Sequence, residues 1–340
     1  MATRRHGLTV AVTGPTGTFG FGLIPLLQAD DRIGRIVGIA RRAFDPAGHG
    51  WTKMEYRRGD VREPAALEQA FAGADVVVHL AFLVTGSGAD RRTIRAINVD
   101  GTLNTFVAAA TAGVRRFVYA SSVAAYGFGR DNPVSLTEEW PSRPAQHLFY
   151  GQEKAEIEQL LHRAATRHPG IGLYLLRPPI VLGPHSVGAK TFLPASVEPL
   201  ARRLASLALR LPVPVPAPAL VAPLPVQFVH ERDVGEALRL CVHGAGPAGA
   251  YNLAGDGVLT AVDVARELGL LPVSIPSAPV QAAAGLLAAL PFASPQVAWA
   301  EAMSTPVIMD ATKARRELGW RPRYTGLEAL RDTLRAQRGA

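Results

Sequence analysis

Tyr150 and Lys154 lie four positions apart in this 340-residue sequence and form its most informative pair of side chains. The segment from Phe149 to Leu161 is rich in Glu, Gln, Lys, Ala and Leu, with apolar residues at core spacing, which predicts a helix. Positions i and i+4 of a helix share one face, so a phenol is set beside an ammonium. Because a cation favours the phenolate, we expect Lys154 to lower the pKa of Tyr150 from about 10 towards neutrality, where the phenol can act as a general acid or base.

A glycine-rich turn follows the first apolar segment of the chain. Residues 8–13 are apolar and β-branched, as in a buried parallel strand, and residues 18–29 have the pattern of the helix that follows. Glycines at 14, 17 and 20 allow a tight turn and close approach to a pyrophosphate. The pattern predicts a dinucleotide-binding loop, with a plain strand-to-helix turn as the alternative. Its expected contact residues are Gly14, Thr16, Gly17, Thr18, Phe19 and Gly20.

Two arginines, Arg41 and Arg42, follow the second predicted strand, where an acidic residue would bind the ribose 2′-hydroxyl of NAD. A guanidinium suits the 2′-phosphate of NADP instead, because it combines charge with a forked set of donors. We therefore expect NADP as the cofactor, with NAD as the alternative and two surface arginines as the plain interpretation. Asp60, after the third strand, could accept a hydrogen bond from the adenine amino group or cap its own loop.

Polar residues also follow or interrupt other predicted elements. Ser121 and Ser122 end the fifth strand, and ligands of open α/β sheets bind outside the carboxyl ends of strands. A serine there could hydrogen-bond a substrate oxygen, or could bond its own backbone in a turn. Asn98 could kink the preceding helix and hold a water molecule, or face solvent. His79 lies inside the fourth strand and is predicted to be a core histidine with its hydrogen bonds satisfied.

Strand-like and helix-like segments alternate through the first half of the sequence. The predicted strands cover 8–13, 35–40, 54–57, 75–81, 116–121 and 172–177, and the predicted helices cover 18–29, 64–72, 91–112 and 147–167. This alternation predicts an α/β fold with a Rossmann-like, doubly wound parallel sheet and a smaller C-terminal substrate-binding lobe.

Composition changes after Arg177, where the C-terminal half begins. An amphipathic helix is predicted at 197–211, and the run 211–226 has too many prolines for a regular helix or a central strand. We expect residues 1–178 to form a dinucleotide-binding Rossmann domain, to which 226–245 return. Residues 179–340 are expected to form mainly the substrate-binding lobe.

Composition also bears on partners and location. The formal net charge is +8, but the arginines are scattered, so we expect no nucleic acid as partner. The single cysteine, Cys241, excludes an internal disulfide and fits the cytoplasm. The most apolar stretch, 282–300, is interrupted by two prolines, so we expect no membrane span and no membrane partner. No metal site is predicted.

Taken together, the motifs resemble the extended short-chain dehydrogenase/reductase superfamily, also called the NAD-dependent epimerase/dehydratase family. The matching segments run along nearly the whole sequence: TGPTGTFG at 13–20, GDV at 59–61, HLA at 79–81, NVDGT at 98–102, SSVAAYG at 121–127, YGQEK at 150–154, RPPIVLGP at 177–184, FVHERDVGEAL at 228–238, YNLAG at 251–255 and ATKARRELGWRPRY at 311–324.

The resemblance implies roles for individual residues. Tyr150 would be the general acid/base, Lys154 would lower its pKa and bind the nicotinamide ribose, Ser122 would position the substrate oxygen, and Asn98 would support them. Pro178 to Val181 would give backbone contacts to the nicotinamide. The further expected cofactor-binding residues are Asp60, Val61, Leu80, Ala81, Phe82, Ala120, Pro178, Ile180 and Val181. The expected substrate-contacting residues are Leu83, Val84, Ser122, Val123 and Tyr150.

Departures from the family patterns narrow the expected reaction. Val123 and Ala124 stand where sugar 4,6-dehydratases of the family have an Asp-Glu pair, so no carboxylate for elimination follows Ser122. Where nucleotide-sugar epimerases usually have an asparagine and an arginine that hold the sugar diphosphate, the chain has Pro179-Ile180 and Val226-Gln227. The expected substrate pocket is therefore apolar, with the proline-rich run 211–226 as a lid or a surface connector.

These observations predict an NADP-dependent oxidoreductase that moves a hydride between nicotinamide and a carbonyl or secondary alcohol of a mainly apolar small molecule. A nucleotide-sugar 4-epimerase with bound NAD is the alternative enzyme. A non-catalytic dinucleotide sensor is the third reading, against which the intact Ser122, Tyr150 and Lys154 argue. The resemblance also implies a possible homodimer, formed through the helices at 91–112 and 147–167.

Overall fold

The computed structural model describes residues 7–84, 90–129, 131–186, 216–290 and 294–338. The predicted helix at 197–211 and the first part of the proline-rich run, up to residue 215, lie outside these ranges. The question of a lid or a connector therefore stays open for that part of the run.

Thirteen strands and eleven α-helices are formed by the described residues. The strands are β1 (Leu8–Thr13), β2 (Ile33–Ala40), β3 (Met54–Arg58), β4 (Val76–His79), β5 (Arg116–Ala120), β6 (Gly172–Arg177), β7 (Ile180–Leu182), β8 (Pro218–Val221), β9 (Pro225–Val226), β10 (Phe228–His230), β11 (Gly249–Asn252), β12 (Leu259–Thr260) and β13 (Leu271–Ser274).

The helices are α1 (Thr18–Ala29), α2 (Pro64–Phe71), α3 (Arg91–Arg95), α4 (Gly101–Thr111), α5 (Phe149–Arg167), α6 (Glu231–His243), α7 (Ala261–Glu267), α8 (Ser277–Ala288), α9 (Pro295–Ser304), α10 (Thr312–Glu317) and α11 (Gly326–Arg338). A π-helical turn, Ala96–Asp100, joins α3 to α4, and 3-10 turns form at Ala47–His49 and Val123–Tyr126.

Seven strands form the central sheet, in the order β3-β2-β1-β4-β5-β6-β11, and all neighbours are parallel. The order reverses between β1 and β4, which places a crevice beyond the carboxyl ends of these two strands, where ligands of such sheets bind. The predicted doubly wound parallel sheet is confirmed. Each predicted strand and helix of the first half overlaps an observed one.

Apolar side chains fill the space on both faces of this sheet. One cluster combines β1 and β4 with α1 and α6, and the other combines the opposite face with α2, α4 and α5. Helices α1 and α6 cross at Gly22 and Gly235, where a Cβ at either position would lie 2.2 Å or less from a backbone oxygen of the other helix. The two glycines let the helices touch backbone to backbone, which fixes α1 at the glycine-rich turn.

The C-terminal half both returns to the sheet and builds a smaller lobe. Helix α6 packs on α1, and β11 extends the sheet beside β6. The smaller lobe contains short strand pairs (β7 with β10, β8 with β13, β9 with β12) and the helices that follow α6. Both β8 and β9 carry prolines and each pairs with a single strand, as expected for proline in strands. Where the boundary between the two lobes falls stays a prediction.

Within the described ranges, no helix is long and apolar enough to cross a bilayer.

Candidate active site

The glycine-rich turn lies between β1 and α1, at the crevice. Gly14 has a φ of +67°, and a Cβ there would lie 2.8 Å from the backbone nitrogen of Ala81. A Cβ at Gly20 would lie 2.0 Å from the carbonyl oxygen of Pro15, whereas a Cβ at Gly17 would meet only Gly14 O, at an ordinary contact distance of 3.6 Å. The first and third glycines are therefore required by the turn itself, and the exposed second one leaves room for a ligand's phosphate near the N-terminus of α1.

Arg41 and Arg42 follow β2 with exposed side chains. Their backbone carbonyls are held, since Arg41 O accepts from Arg58 Nε at 3.0 Å and Arg42 O accepts from Tyr56 OH at 2.5 Å. Among the described residues, neither guanidinium forms an ion pair with a carboxylate within 4.0 Å. The backbone is thus fixed while two cationic groups remain available at the rim of the crevice.

Asp60 follows β3, and its carboxylate is already engaged. Its Oδ1 accepts from the Arg62 backbone nitrogen at 3.0 Å, and Arg62 Nη2 donates to Oδ2 at 2.7 Å. The carboxylate therefore caps its own loop, the second of the two roles expected for it. Val61 beside it is buried against Gly101. A contact with adenine stays a prediction for both.

Lys154 is buried on α5 and is held at the carboxyl end of β5. Its Nζ donates to Tyr119 OH at 3.0 Å and to Ala120 O at 2.8 Å, and lies 3.8 Å from the ring centroid of Phe82. Burial lowers the pKa of Lys154 to about 7, against the charges of Glu158 and Glu153, which act to raise it. A lysine with that pKa can exchange a proton near neutrality.

Tyr150 has the Lys154 ammonium 5.8 Å from its ring centroid, so the helical spacing brings the two together as predicted. Its ring lies between Phe82 (centroids 5.5 Å apart) and Trp299 (5.3 Å). Burial raises the pKa of Tyr150, and a hydrogen bond with the Ser122 side chain acts in the opposite direction. The predicted lowering was therefore wrong in direction, because two aromatic neighbours desolvate the phenol and Lys154 donates its bonds to Tyr119 and Ala120.

Ser122 caps the 3-10 turn that follows β5, and its Oγ accepts from Ala124 N at 3.2 Å. The next residue, Val123, donates its backbone N–H to Pro178 O at 2.9 Å. Ile180 and Val181 pair with β10 in strand β7. The chain segments after β5 and β6, both at the carboxyl edge of the sheet, are thereby tied together beside Tyr150.

Asn98 lies in the π-helical turn and is fully buried. Its amide clamps the backbone of Leu83, accepting from the nitrogen at 2.8 Å and donating to the oxygen at 2.9 Å. It also donates to Glu153 Oε2 at 2.7 Å. The segment Leu80 to Leu83, which follows β4, is thus fixed beside Tyr150 and Lys154, whereas the next residue, Val84, is exposed.

His79 has partners for both ring nitrogens, Thr13 Oγ1 at 2.7 Å and Thr102 Oγ1 at 2.9 Å. Burial lowers the pKa of His79 to about 3, so the ring is neutral at neutral pH. The histidine is a core residue with satisfied hydrogen bonds, as the sequence predicted.

A buried polar network below the site was not found from the sequence. Arg177 donates to both carboxylate oxygens of Glu158, at 2.9 and 2.5 Å, and to Tyr126 OH at 2.8 Å. Ser121 Oγ also donates to Glu158, at 2.6 Å, and Tyr126 donates to Asn252 Oδ1 at 2.7 Å. The network joins α5, β6 and β11, and only the tertiary fold brings its members together.

Trp299 is a second residue that the sequence reasoning missed. Helix α9 packs on the N-terminal end of α5, where a small apolar cluster of Ala145, Leu148, Ala298 and Ala302 contacts Tyr150 and Trp299. His147 adds a polar contact, with Nδ1 2.8 Å from Glu301 Oε2. One available signal was the absence of Asp, Glu, Lys, Arg and His from residue 268 to residue 300.

Gln227, one of the positions where a sugar-diphosphate contact was expected, faces the protein interior. It is buried, donates to Met309 O at 3.1 Å and accepts from Met309 N at 2.8 Å. Its amide is thereby used for structure, and its neighbour Val226 pairs with β12.

Comparison with known proteins was made on the sequence and on the fold. The family model described as NAD dependent epimerase/dehydratase family matches residues 10–254. The uncharacterized protein y4nG of Sinorhizobium fredii is 30% identical over 336 residues, which cover 96% of this chain and 77% of the relative.

Two shorter matches have named activities. An N-acetyl-alpha-D-glucosaminyl-diphospho-ditrans,octacis-undecaprenol 4-epimerase of Escherichia coli O157:H7 is 35% identical over 131 residues, 38% of each chain. Sterol demethylase protein B of Methylococcus capsulatus is 31% identical over 179 residues, 52% of each chain.

Among solved structures, that of gox2253 aligns with a TM-score of 0.73 and 26% identity over 98% of both chains. A short-chain dehydrogenase/reductase superfamily protein from Agrobacterium tumefaciens, solved with bound NAD, aligns with a TM-score of 0.70 and 23% identity over 97% of both chains.

Proposed function

The chain belongs to the NAD dependent epimerase/dehydratase family and is an NAD(P)-dependent enzyme of the short-chain dehydrogenase/reductase type, and on that premise we propose that it is an NADP-dependent oxidoreductase for a mainly apolar ketone or secondary alcohol. The family resemblance predicted from the motifs is thereby confirmed. The cofactor preference, the substrate class and the role of each residue belong to the proposal.

The observation that carries the substrate class is the aromatic surrounding of Tyr150. Phe82 and Trp299 flank its ring, and Trp299 comes from a stretch, residues 268–300, without a charged side chain. A pocket with such walls has little to offset the desolvation of a diphosphate, but it stabilises an aliphatic or aromatic body by burial. The partial likeness to sterol demethylase protein B is consistent with an apolar substrate.

Three side chains are assigned the chemistry. The dinucleotide, when bound, supplies or takes the hydride at its nicotinamide ring. Tyr150 gives its phenolic proton to the developing alkoxide in reduction, and takes it back in oxidation. Ser122 hydrogen-bonds the same oxygen and helps to stabilise its charge. Lys154 holds the nicotinamide ribose.

The cofactor assignment rests on Arg41 and Arg42. Both are exposed at the end of β2 and neither is paired with a carboxylate within the described ranges, so a 2′-phosphate could engage them without first breaking an ion pair. Gly14 and Gly20 allow the tight turn, and the exposed Gly17 leaves the approach to the N-terminus of α1 open for the pyrophosphate. We assign Arg41 and Arg42 to the 2′-phosphate of NADP, and the glycine-rich turn to its pyrophosphate.

A nucleotide-sugar 4-epimerase with bound NAD is the second candidate, and the match to the Escherichia coli 4-epimerase favours it. The same Tyr150, Lys154 and Ser122 would then oxidise and re-reduce one sugar carbon. The inward-facing Gln227 and the apolar Val226 argue against it, since neither offers a charged group to a diphosphate.

The dinucleotide that purified protein retains separates the two candidates. The protein would be denatured, and the released nucleotides identified by liquid chromatography with mass spectrometry. Weakly held, exchangeable NADP(H) is expected for the reductase. Stoichiometric NAD that survives gel filtration would favour the epimerase and contradict the proposal.

A further inference from the structure

Glu153 is a buried carboxylate on α5, directly before Lys154, with 1% of its surface exposed. Its Oε2 accepts from Asn98 Nδ2 at 2.7 Å, while its Oε1 has no hydrogen-bond partner among the described residues. A buried charge with an unpaired oxygen is destabilising, and an apolar or neutral residue of similar volume would avoid that cost. Because the charge of Glu153 does not stabilise the fold, we expect it to serve the neighbouring site instead.

Asn98 fixes where that charge lies. Its amide is itself held by two hydrogen bonds to the Leu83 backbone, so it presents Nδ2 to Glu153 in one orientation. The carboxylate is thereby positioned by the same asparagine that orders the segment beside Tyr150. Its position does not depend on a flexible contact.

The charges around Lys154 differ in how well they are neutralised. Glu158 accepts hydrogen bonds from two Arg177 nitrogens, Nε and Nη2, and from Ser121, so its charge is largely satisfied. Glu153 has an amide as its hydrogen-bond partner and no cation bonded to it in the described part of the chain. Both carboxylates act to raise the pKa of Lys154, Glu158 more strongly than Glu153. Glu153 is the one whose charge can be removed without breaking an ion pair among the described residues.

Other charged groups surround Glu153 from the neighbouring helices. A surface cavity of about 400 Å³ is lined by Arg91, Arg92, Arg95, Phe149, Gln152, Glu153 and Glu156. Arg95 pairs with Glu156 through two 2.6 Å contacts at the surface, and Arg91 lies over the Phe149 ring.

Burial raises the pKa of Glu153, while Asn98, Arg95 and Lys154 act to lower it. On the inner side, Tyr119, Tyr150 and His79 face Lys154 and carry no charge at neutral pH.

We propose that Glu153 is a positioning residue whose charge, together with that of Glu158, keeps Lys154 protonated at neutral pH. The inference rests on the proposed function and deepens it, because a protonated Lys154 donates more hydrogen bonds to the ribose hydroxyls than a neutral one. Glu153 acts through Lys154 and touches neither the substrate nor the reacting atoms.

The titration of Lys154 can be measured directly, because the sequence has only four lysines. Lysine labelled with ¹³C at Cε would be followed by NMR as a function of pH, with Lys154→Arg to assign the signal. Glu153→Gln is expected to lower the pKa of Lys154 by on the order of one unit, because it removes one of the two buried carboxylates that act to raise it. Glu156→Gln removes a carboxylate that lines the same cavity but is paired with Arg95, and should leave the Lys154 signal in place.

The readout separates an electrostatic role from a structural one. Glu153→Gln should keep or raise the melting temperature, because it removes a buried charge with an unpaired oxygen. Glu153→Asp should restore part of the wild-type titration. Should the glutamine variant not fold, Glu153→Met tests the same loss of charge.

An unchanged Lys154 titration in a folded Glu153 variant would overturn the proposal, as would an equal shift in Glu156→Gln. Because the NMR titration needs no substrate or cofactor, either result would reject the role of Glu153 without bearing on the proposed oxidoreductase activity. If the pKa of Lys154 falls as expected in Glu153→Gln but the wild-type protein has no reductase activity, the proposed function is rejected and the role of Glu153 stands.

Discussion

The indole ring of Trp299 lies against the phenol ring of Tyr150, with the two centroids 5.3 Å apart and the planes tilted by 35°. Tyr150 is the second residue of α5, whereas Trp299 comes from α9 in the C-terminal half of the chain. Trp299 thus forms one wall of the proposed site, although it is about 150 residues away from Tyr150 in the sequence. It also contributes to the burial that raises the pKa of Tyr150.

Trp299→Ala should weaken apolar substrates more than it weakens the cofactor. Removing the indole takes away apolar contact area beside Tyr150 and admits water, so we expect KM for a hydrophobic ketone to rise about tenfold or more, while Kd for NADPH changes little. Steady-state kinetics and a fluorescence titration measure the two constants. Leu286→Ala, on the exposed surface of α8, is the control. Equal kinetics in both variants would remove Trp299 from the site.

Arg41→Ala together with Arg42→Ala should lower affinity for NADPH and leave affinity for NADH nearly unchanged. A charge-assisted hydrogen bond to a phosphate contributes about 1.5–3 kcal/mol, so Kd for NADPH should rise on the order of tenfold or more. Tryptophan or cofactor fluorescence gives both constants. Arg35→Ala, on the preceding strand β2 and paired with Glu55, is the matched control. Wild-type protein that prefers NADH would reject the NADP assignment.

Arg177→Met should be strongly destabilising. It leaves the Glu158 carboxylate buried without its cation, which typically costs about 3–5 kcal/mol of unfolding free energy. Arg331→Met breaks a similar bidentate ion pair with Glu267 at the surface, and the loss of unfolding free energy should be much smaller. Urea unfolding of both variants tests the difference. Similar losses would mean that the buried network adds little to stability.

His79 should make the folded protein sensitive to acid. Its pKa is about 3 in the folded chain and about 6.5 when unfolded, so unfolding takes up a proton between these values. The contribution of neutral His79 is fully present above pH 6.5 and is lost as pH falls towards 3. Unfolding free energies measured by urea at several pH values should fall less steeply in His79→Gln, by up to about 1.4 kcal/mol per pH unit. The exposed His162→Gln is the control, and parallel slopes in all three proteins would contradict the assignment.

Local pattern was sufficient to predict the elements that build the sheet. The strand at 8–13 and the helix at 18–29 were predicted with the observed bounds, because a short apolar β-branched run and a glycine turn determine them locally. The spacing of Tyr150 and Lys154 likewise placed them together, since helical periodicity alone sets that distance.

Properties that depend on distant residues were beyond such reasoning. The pKa of Tyr150 shifts upward because Phe82 and Trp299 desolvate it, and neither neighbour is near it in sequence. The link from Glu158 through Arg177 and Tyr126 to Asn252 depends on the relative placement of helix α5, strands β6 and β11 and the 3-10 turn after β5. The role of Asp60 could not be predicted for a different reason. An aspartate that contacts a ligand and an aspartate that caps its own loop have the same local sequence pattern.

The most direct test of the central claim is NADPH-dependent turnover of a panel of hydrophobic ketones and of common nucleotide sugars by wild-type protein and Tyr150→Phe. We expect net NADPH oxidation with at least one apolar ketone and a loss of about 10²–10⁴-fold in kcat for Tyr150→Phe, with Kd for NADPH nearly unchanged. Conversion of a nucleotide sugar without net change of the cofactor, and no turnover of any hydrophobic ketone or alcohol, would contradict it.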